Sequence, residues 1–150
     1  MKNYAFCPVS PKVVNERVAR LNATFTVLII ALFLYTSNIF LIGFLAVDFL
    51  FRGADRPKFS PLAITSKGFA RTFDLRPQMI NAGPKLFAAR IGLVFSVAVF
   101  LLNMAGFGVA SMVTASVLGL FSFLEAAFGF CVACKIYPFV YQLYFNEKRN

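Results

Sequence analysis

The chain has 150 residues, of which 59% are apolar and only 14% are charged, so its composition indicates a membrane protein and excludes an ordinary water-soluble domain. The formal net charge is +9 and the chain contains no histidine, which excludes a haem held by two histidines. Basic residues gathered between long apolar runs are typical of the cytoplasmic face of an integral membrane protein, whose partner is membrane lipid, and they argue against nucleic acid as a partner.

The amino-terminal stretch, Met1 to Asn22, does not have the pattern of a cleavable signal, because basic residues and Glu16 are spread along it. The apolar run that follows, Ala23 to Phe51, is longer than the apolar region of a signal and lacks a small-x-small cleavage site. We therefore expect this stretch to remain in the mature chain. With no internal repeat, the chain is expected to form a single integral membrane helical domain over residues 1–150.

The first apolar block, Ala23 to Phe51, would measure about 44 Å as one helix, against a hydrocarbon core of about 30 Å. The amino-terminal stretch, the loop between residues 52 and 90 and the carboxy-terminal tail are all basic, which favours placing all three in the cytoplasm. Each apolar block must then cross the membrane an even number of times. We predict a hairpin of two helices, 18–36 and 38–52, which breaks at Thr36-Ser37-Asn38. One long tilted helix is the alternative.

The end of the second predicted helix and the loop after it are polar. Asp48 and Arg52 lie four residues apart with the acid first, which predicts an interfacial ion pair that ends the helix. The loop contains several prolines and cannot form one long helix, so we expect short surface pieces. Arg90, at the end of the loop, is predicted to extend its guanidinium to the membrane interface rather than to bind a substrate.

The second apolar block, Ile91 to Phe130, contains one charged residue and would be about 60 Å long as a single helix, so it must fold back. Asn103 and the two glycines before residue 109 supply turn chemistry. We predict helices over 86–105 and 110–130. The predicted fold is an all-α membrane protein, a small bundle of four transmembrane or partly spanning helices in two hairpins with a basic cytoplasmic loop.

The charged residue of the second block is Glu125, and an ionisable side chain within a membrane span is costly enough to indicate a functional role. It precedes Cys131 by just under two helical turns, which places the two on nearby faces of a regular helix. Proton transfer is one interpretation of this residue. The alternative is a protonated or hydrogen-bonded packing residue that faces Asn103, Thr114 or Asp48.

Cys131 and Cys134 form a Cys-x-x-Cys motif just after this acid. On a helix the spacing puts both sulfurs on one face, which suits a disulfide, a redox-active dithiol or half of a metal site. The alternative is that both cysteines are small apolar packing residues. If Gly129 ends the helix and a new one begins near Cys131, the positive helix end favours a thiolate there. A helix that continues through Cys134 would instead place its negative end near the thiols and disfavour a thiolate.

Residues 131–146 are predicted to form an interfacial segment, because their tyrosines suit the headgroup layer. The third cysteine, Cys7, lies on the same predicted side of the membrane. The topology therefore permits thiol exchange between Cys7 and the pair, and it also permits a metal site made of all three cysteines. We predict no cofactor and no metal, since no histidine is present to complete such a site. The reducing cytosol favours a transient disulfide over a permanent one.

Several segments of the chain resemble one family of membrane proteins. They are LEAAFGFCVACKIY at residues 124–137, FAARIGLVFS at residues 87–96, VDFLFRG followed by SPLA, and NERVARLNA near the amino terminus. Over nearly the whole chain, they resemble the bacterial inner-membrane proteins classified as domain of unknown function family DUF4395. The most specific part of the resemblance is the order of an acid, a glycine, two cysteines and Lys-Ile-Tyr.

This resemblance implies a small multi-pass protein of the bacterial inner membrane, with termini that the charge pattern places in the cytoplasm. It also implies an association with thioredoxin-like and rhodanese-type sulfurtransferase proteins. The same resemblance indicates Glu125, Cys131 and Cys134 as candidate catalytic residues. We therefore expect a thiol protein that transfers electrons or sulfane sulfur with a partner protein at the cytoplasmic face. The alternatives are a transporter or permease for a small sulfur compound, and a structural membrane subunit with inert cysteines.

Overall fold

The computed structural model describes residues 12–56, 58–129 and 132–147, and this part of the chain is helical apart from one short ribbon. Two strands, β1 (Val13–Asn15) and β2 (Met79–Asn81), pair antiparallel with Val14 opposite Ile80. The helices of the described part are α1 (Glu16–Thr36), α2 (Ile39–Gly53), α3 (Pro61–Thr72), α4 (Ala82–Met104), α5 (Gly108–Phe128) and α6 (Val132–Glu147).

Asparagine side chains start three of the helices. Asn15, Asn38 and Asn81 precede α1, α2 and α4, and each accepts a hydrogen bond from the backbone N–H two residues further on. Because Asn15 and Asn81 also end the paired strands, the ribbon connects the start of α1 to the start of α4. Pro84 lies in the first turn of α4, where a backbone N–H has no partner within the helix, so proline is tolerated there.

Both predicted breaks between helices are confirmed. α1 ends just before Ser37, which adopts the left-handed conformation with φ of 54°, and α2 begins at Ile39. The first apolar block is therefore two helices rather than one long tilted helix. The turn between α4 and α5 contains Gly106, whose φ of 85° is a conformation that glycine adopts without steric cost.

Three of the predicted helices differ from the structure in one or both bounds, and caps explain the larger differences. The predicted helix 86–105 is Ala82–Met104, since Asn81 caps it and Pro84 does not interrupt it. The predicted helix 18–36 begins at Glu16, next to its Asn15 cap. The predicted helix 110–130 is Gly108–Phe128, because Gly129 ends it in the left-handed conformation with φ of 66°.

Two further predicted ranges shift by one residue. The predicted helix 38–52 is Ile39–Gly53, and the predicted interfacial segment 131–146 corresponds to α6 over Val132–Glu147. The chain therefore breaks at Gly129 and resumes as a new helix at Val132.

Three helices, α1, α4 and α5, are long and apolar enough to cross a membrane. Large apolar side chains on them are exposed, for example Leu28, Val94 and Val109, as expected for helices that contact lipid. α2 has 15 residues, fewer than the roughly 20 that a spanning helix needs. The predicted helical architecture is confirmed, with three helices that could cross a membrane, whereas the predicted four-helix arrangement in two hairpins is not.

Between the helices lies a core of buried apolar side chains, where α2 packs along α4 and α1 packs along α5. Phe33, Ile42, Leu45 and Val99 are almost completely buried there. α2 approaches α4 closely at Gly92, where an added Cβ would lie 2.5 Å from the ring of Phe49. The absence of a side chain at position 92 therefore sets the distance between these two helices.

We expect Gly92→Ala to lower the free energy of unfolding by about 1–3 kcal/mol, because the new methyl group overlaps the Phe49 ring and the packed helices must separate. The apparent midpoint of thermal unfolding in detergent measures the effect. Gly68→Ala in α3 is the matched control: nothing lies within 4 Å of its added Cβ, so alanine should be neutral or slightly stabilising. Equal destabilisation by both substitutions would contradict the packing explanation.

Candidate functional site

Among the three residues predicted to form the site, Glu125 is the one that the structure describes in full. It lies in the last turn of α5. Position 134 lies in the first turn of α6, but the side chain of Cys134 falls outside the described atoms. Cys131 and Cys7 lie outside the described residues altogether. The geometry of the thiol pair therefore stays a prediction.

Glu125 forms an ion pair with Lys85, whose ammonium donates a hydrogen bond to Glu125 Oε1. The two side chains are 16% and 14% exposed, so the pair is largely removed from solvent. Lys85 comes from the first turn of α4, and the ion pair therefore joins the beginning of α4 to the end of α5. The partner of the acid is this lysine, and not Asn103, Thr114 or Asp48.

Asp48 is completely buried and its carboxylate caps α3 from a different helix. Its Oδ1 accepts hydrogen bonds from the hydroxyl of Ser60 and from the backbone N–H of Leu62, the latter at 3.0 Å. The hydroxyl of Ser60 in turn accepts a hydrogen bond from the backbone N–H of Ala63 at 3.1 Å. Two of the N–H groups that the first turn of a helix leaves unpaired are satisfied in this way.

The predicted ion pair between Asp48 and Arg52 is present, but it lies beneath α3 and not at an exposed interface. Asp48 Oδ2 is 3.8 Å from Arg52 Nη1, which is within reach of charge attraction but too long for a hydrogen bond. Within the described residues Oδ2 has no hydrogen-bond partner. Arg52 also lies over the ring of Phe49, 5.2 Å from its centre, and is attracted by the charge of Glu125 as well as that of Asp48.

These four side chains, Asp48, Arg52, Lys85 and Glu125, are referred to below as the charge cluster. A cavity of about 60 Å³, the inner cavity, is lined by three of them, Arg52, Lys85 and Glu125. Its volume suffices for about two water molecules, each of which occupies about 30 Å³ in the liquid. Val132, the first residue of α6, lines the same cavity. The inner cavity therefore extends from the charge cluster to the residue that lies between the two cysteines in the sequence.

Two arginines hold the ends of neighbouring helices near this cavity. Arg20 of α1 donates to the backbone carbonyls of Ala126 and Ala127, at 3.3 and 3.1 Å, in the last turn of α5. Arg90 of α4 donates from Nε to the carbonyl of Gly53 at 3.2 Å, at the end of α2. Cations at helix carboxyl ends are favourable, since the last carbonyls have no partner within the helix. These contacts could not be predicted from the sequence, because no local pattern signals a partner 106 residues away.

No group of three metal-binding side chains is found in the part of the chain that the structure describes. The side chains of the cysteines lie outside that part. The described residues provide the inner cavity with three charged side chains and a volume that suits water.

Comparison with known protein families gives one match. The family model described as Domain of unknown function (DUF4395) matches residues 14–142, which confirms the resemblance found in the sequence. The matched region contains Glu125, Cys131 and Cys134, whereas Cys7 lies before it. No curated protein and no solved structure matches the chain.

We expect Glu125→Gln to lower the free energy of unfolding by up to about 3 kcal/mol, because it leaves the Lys85 ammonium in a largely buried position without its partner. The double variant Lys85→Met/Glu125→Gln should be more stable than Glu125→Gln alone, since the unpaired charge is gone. A double-mutant cycle on unfolding in detergent measures the coupling between the two residues. Simple additivity of the two single substitutions would show that the pair does not contribute.

Asp48→Ala should loosen α3, because the substitution removes the acceptor for both Ser60 and Leu62, at a cost of about 1–3 kcal/mol. Hydrogen exchange of the α3 backbone amides, compared with those of α5, measures the loosening. Asp48→Asn keeps an acceptor oxygen and should protect α3 better than alanine does. Equal exchange in the two variants would contradict the capping role of Asp48.

Proposed function

The chain belongs to the family described as domain of unknown function DUF4395, and we propose that it is an integral membrane thiol protein in which Cys131 and Cys134 exchange electrons or sulfane sulfur with a partner protein. The observation that carries the proposal is the position of α6. This helix begins at Val132, and Val132 lines the inner cavity together with Glu125. In the sequence, the Cys-x-x-Cys motif therefore coincides with the start of α6, and this helix start lies at the same cavity as Glu125.

The start of α6 favours a reactive thiol. The first turn of a helix carries the positive end of the helix dipole and unpaired N–H groups, both of which stabilise a thiolate and lower the pKa of a cysteine. Cys134 is in that turn, and Cys131 directly precedes the helix in the sequence. Of the two arrangements that the sequence left open, a helix that ends at Gly129 and a new helix near Cys131 is the one that supports reactivity.

The charge cluster supports a role for Glu125 in handling protons. Thiol exchange releases protons from the attacking cysteines, and a carboxylate on the wall of a small cavity with room for water can accept them. The Lys85 ammonium holds Glu125 at the wall of this cavity. Loss of the carboxylate should therefore slow exchange without preventing the protein from folding around the thiols.

In the proposed reaction, one cysteine thiolate attacks a sulfur of the partner's disulfide, and the partner's other sulfur leaves as a thiolate. The second cysteine then displaces the partner from the mixed disulfide, so that two electrons pass to the partner and the two cysteines become a disulfide. If the partner instead carries a persulfide, the thiolate takes its terminal sulfur and the partner leaves as a thiolate. The expected partner is a thioredoxin-like or rhodanese-type protein.

We further propose that the protein lies in the bacterial inner membrane with both termini in the cytoplasm and that α2 crosses the membrane as a fourth, short span. This placement is supported by the gathering of basic side chains at one end of the bundle, where the ribbon, the end of α2 and the start of α4 meet. Arg20, Arg52, Lys85 and Arg90 all lie at that end. The start of α6 follows directly from the α5 end that Arg20 holds, so partner access from the cytoplasm is expected.

We expect Cys131→Ser and Cys134→Ser each to reduce thiol exchange to the rate of the uncatalysed reaction, because one thiol attacks and the other resolves. The measurement uses a Cys7→Ser parent in oriented vesicles, with a membrane-impermeant thiol reagent applied at several pH values before and after mild oxidation. Labelling near neutral pH from the cytoplasmic side should be lost on oxidation and restored by a dithiol reductant.

Glu125→Gln tests the proton role in the same vesicles. It should leave both thiols open to labelling and slow exchange by about 10²-fold, the usual contribution of a general acid or base. Slow labelling that oxidation does not change would instead mean that the cysteines are packing residues, and the proposal would be wrong. Uptake of a small sulfur compound that needs Cys131 but no partner protein would favour the transporter alternative.

A further inference from the structure

A second and larger cavity lies beside the charge cluster, at the end of the bundle that carries the ribbon. It has a volume of about 360 Å³, which is within the usual range for small-molecule sites. Residues of β1, β2 and the helices α1 to α4 line it, and it is called the loop-side cavity below. Its lining contains neither Glu125 nor Val132, so it is separate from the part of the inner cavity that borders α6.

Three cationic side chains line the loop-side cavity, each from a different helix. They are Arg52 of α2, Lys67 of α3 and Lys85 of α4. The hydrogen bond to Glu125 uses one of the three donors of the Lys85 ammonium. Arg52 is 3.8 Å from Asp48 Oδ2, so this ion pair leaves the N–H donors of the guanidinium without a short hydrogen bond to the carboxylate.

Lys67 is exposed on α3, and no ion pair involving it is found among residues 12–56, 58–129 and 132–147. The one acidic residue in the lining, Asp55, already forms an ion pair with Lys12. The other two acids nearby, Asp48 and Glu125, are not part of the lining. The side chains that face this cavity therefore supply an excess of positive charge.

Two amide side chains in the lining add neutral hydrogen-bond donors. The Oδ1 of Asn15 accepts from two backbone N–H groups, those of Arg17 and Gln78. The Oδ1 of Asn22, a residue that is 4% exposed, is 3.5 Å from the hydroxyl of Ser66. In both residues the side-chain oxygen already accepts a hydrogen bond within the protein, so the amide NH₂ is the group available to a ligand. The polar lining is therefore rich in donors and poor in acceptors.

We propose that the loop-side cavity binds a phosphate-type oxyanion, which Arg52, Lys67 and Lys85 contact from three sides. A tetrahedral anion accepts several charge-assisted hydrogen bonds at once, and a guanidinium together with ammonium groups is the usual protein partner for it. The proposal does not depend on the function of the cysteines. Its ligand has two sources: a free oxyanion from the cytoplasm, or the phosphate of an anionic phospholipid.

The rest of the lining is compatible with both sources. Val14, Val18 and Leu86 give the loop-side cavity apolar walls, which suit the glycerol portion of a lipid. Basic pockets between membrane helices on the cytoplasmic side are known to bind anionic headgroups. A volume of about 360 Å³ also leaves room for a hydrated free anion.

The test uses the full-length protein, purified in a neutral detergent, and follows its apparent unfolding temperature. One arm titrates sodium phosphate against sodium chloride at equal ionic strength. The other arm titrates short-chain phosphatidylglycerol against short-chain phosphatidylcholine in mixed micelles. Binding to the folded protein raises the unfolding temperature with a half-saturating concentration that reports affinity.

Lys67→Gln is the decisive variant, because the side chain is exposed and its removal leaves the helix core unchanged. We expect the half-saturating concentration of the active ligand to increase about tenfold or more, which is the usual effect of losing a hydrogen bond to a charged group. Arg71→Gln is the matched control: it removes the same charge from an exposed position of the same helix, but Arg71 does not line the loop-side cavity. It should change the affinity by less than about twofold, as expected for a screened surface charge.

Each outcome decides the proposal. Stabilisation by phosphate that Lys67→Gln weakens supports a free oxyanion, and stabilisation by phosphatidylglycerol alone, weakened in the same way, supports a lipid phosphate. The proposal is overturned if neither ligand stabilises the protein beyond its reference, or if Lys67→Gln and Arg71→Gln weaken the effect equally. The latter result would indicate a general response to the basic surface.

Discussion

The cost of placing charge inside an apolar helix bundle is the constraint on which the rest of this structure depends. An unpaired charge removed from water costs several kcal/mol, whereas a paired and hydrogen-bonded one is tolerated. Asp48 and Glu125 are therefore each matched by a cation, Arg52 and Lys85. Because the Glu125 pair joins two helices and the Asp48 carboxylate caps a third, satisfying these charges also fixes how α2, α3, α4 and α5 lie relative to one another.

The same end of the bundle is held together by contacts to helix ends. Arg20 and Arg90 donate to the last carbonyls of α5 and α2, and the ribbon joins the first turns of α1 and α4. These contacts lie where both cavities interrupt the apolar packing. The start of α6 follows this braced region, separated from it by the turn at Gly129. A thiol motif placed there would be supported on one side by these contacts to helix ends.

The helix breaks could be predicted from the sequence because their causes are local. The turns before Ile39 and around Gly106 follow from residues that adopt turn conformations easily, and the break at Gly129 is one of the two arrangements that the sequence left open. The helix starts were less accurate, since Pro84 suggested a loop where an asparagine cap begins α4. The partner of Glu125 could not be predicted at all. Lys85 is 40 residues away, and only the tertiary packing of α4 against α5 brings it into contact.

The two cavities share Arg52 and Lys85, and this sharing links the two proposed activities. A proton accepted by Glu125 during thiol exchange would remove the negative charge opposite Lys85 and release a donor of its ammonium. The positive charge that faces the loop-side cavity would then increase, and an oxyanion bound there would be held more tightly. Occupancy of one cavity would therefore alter the charge that faces the other, through Arg52 and Lys85.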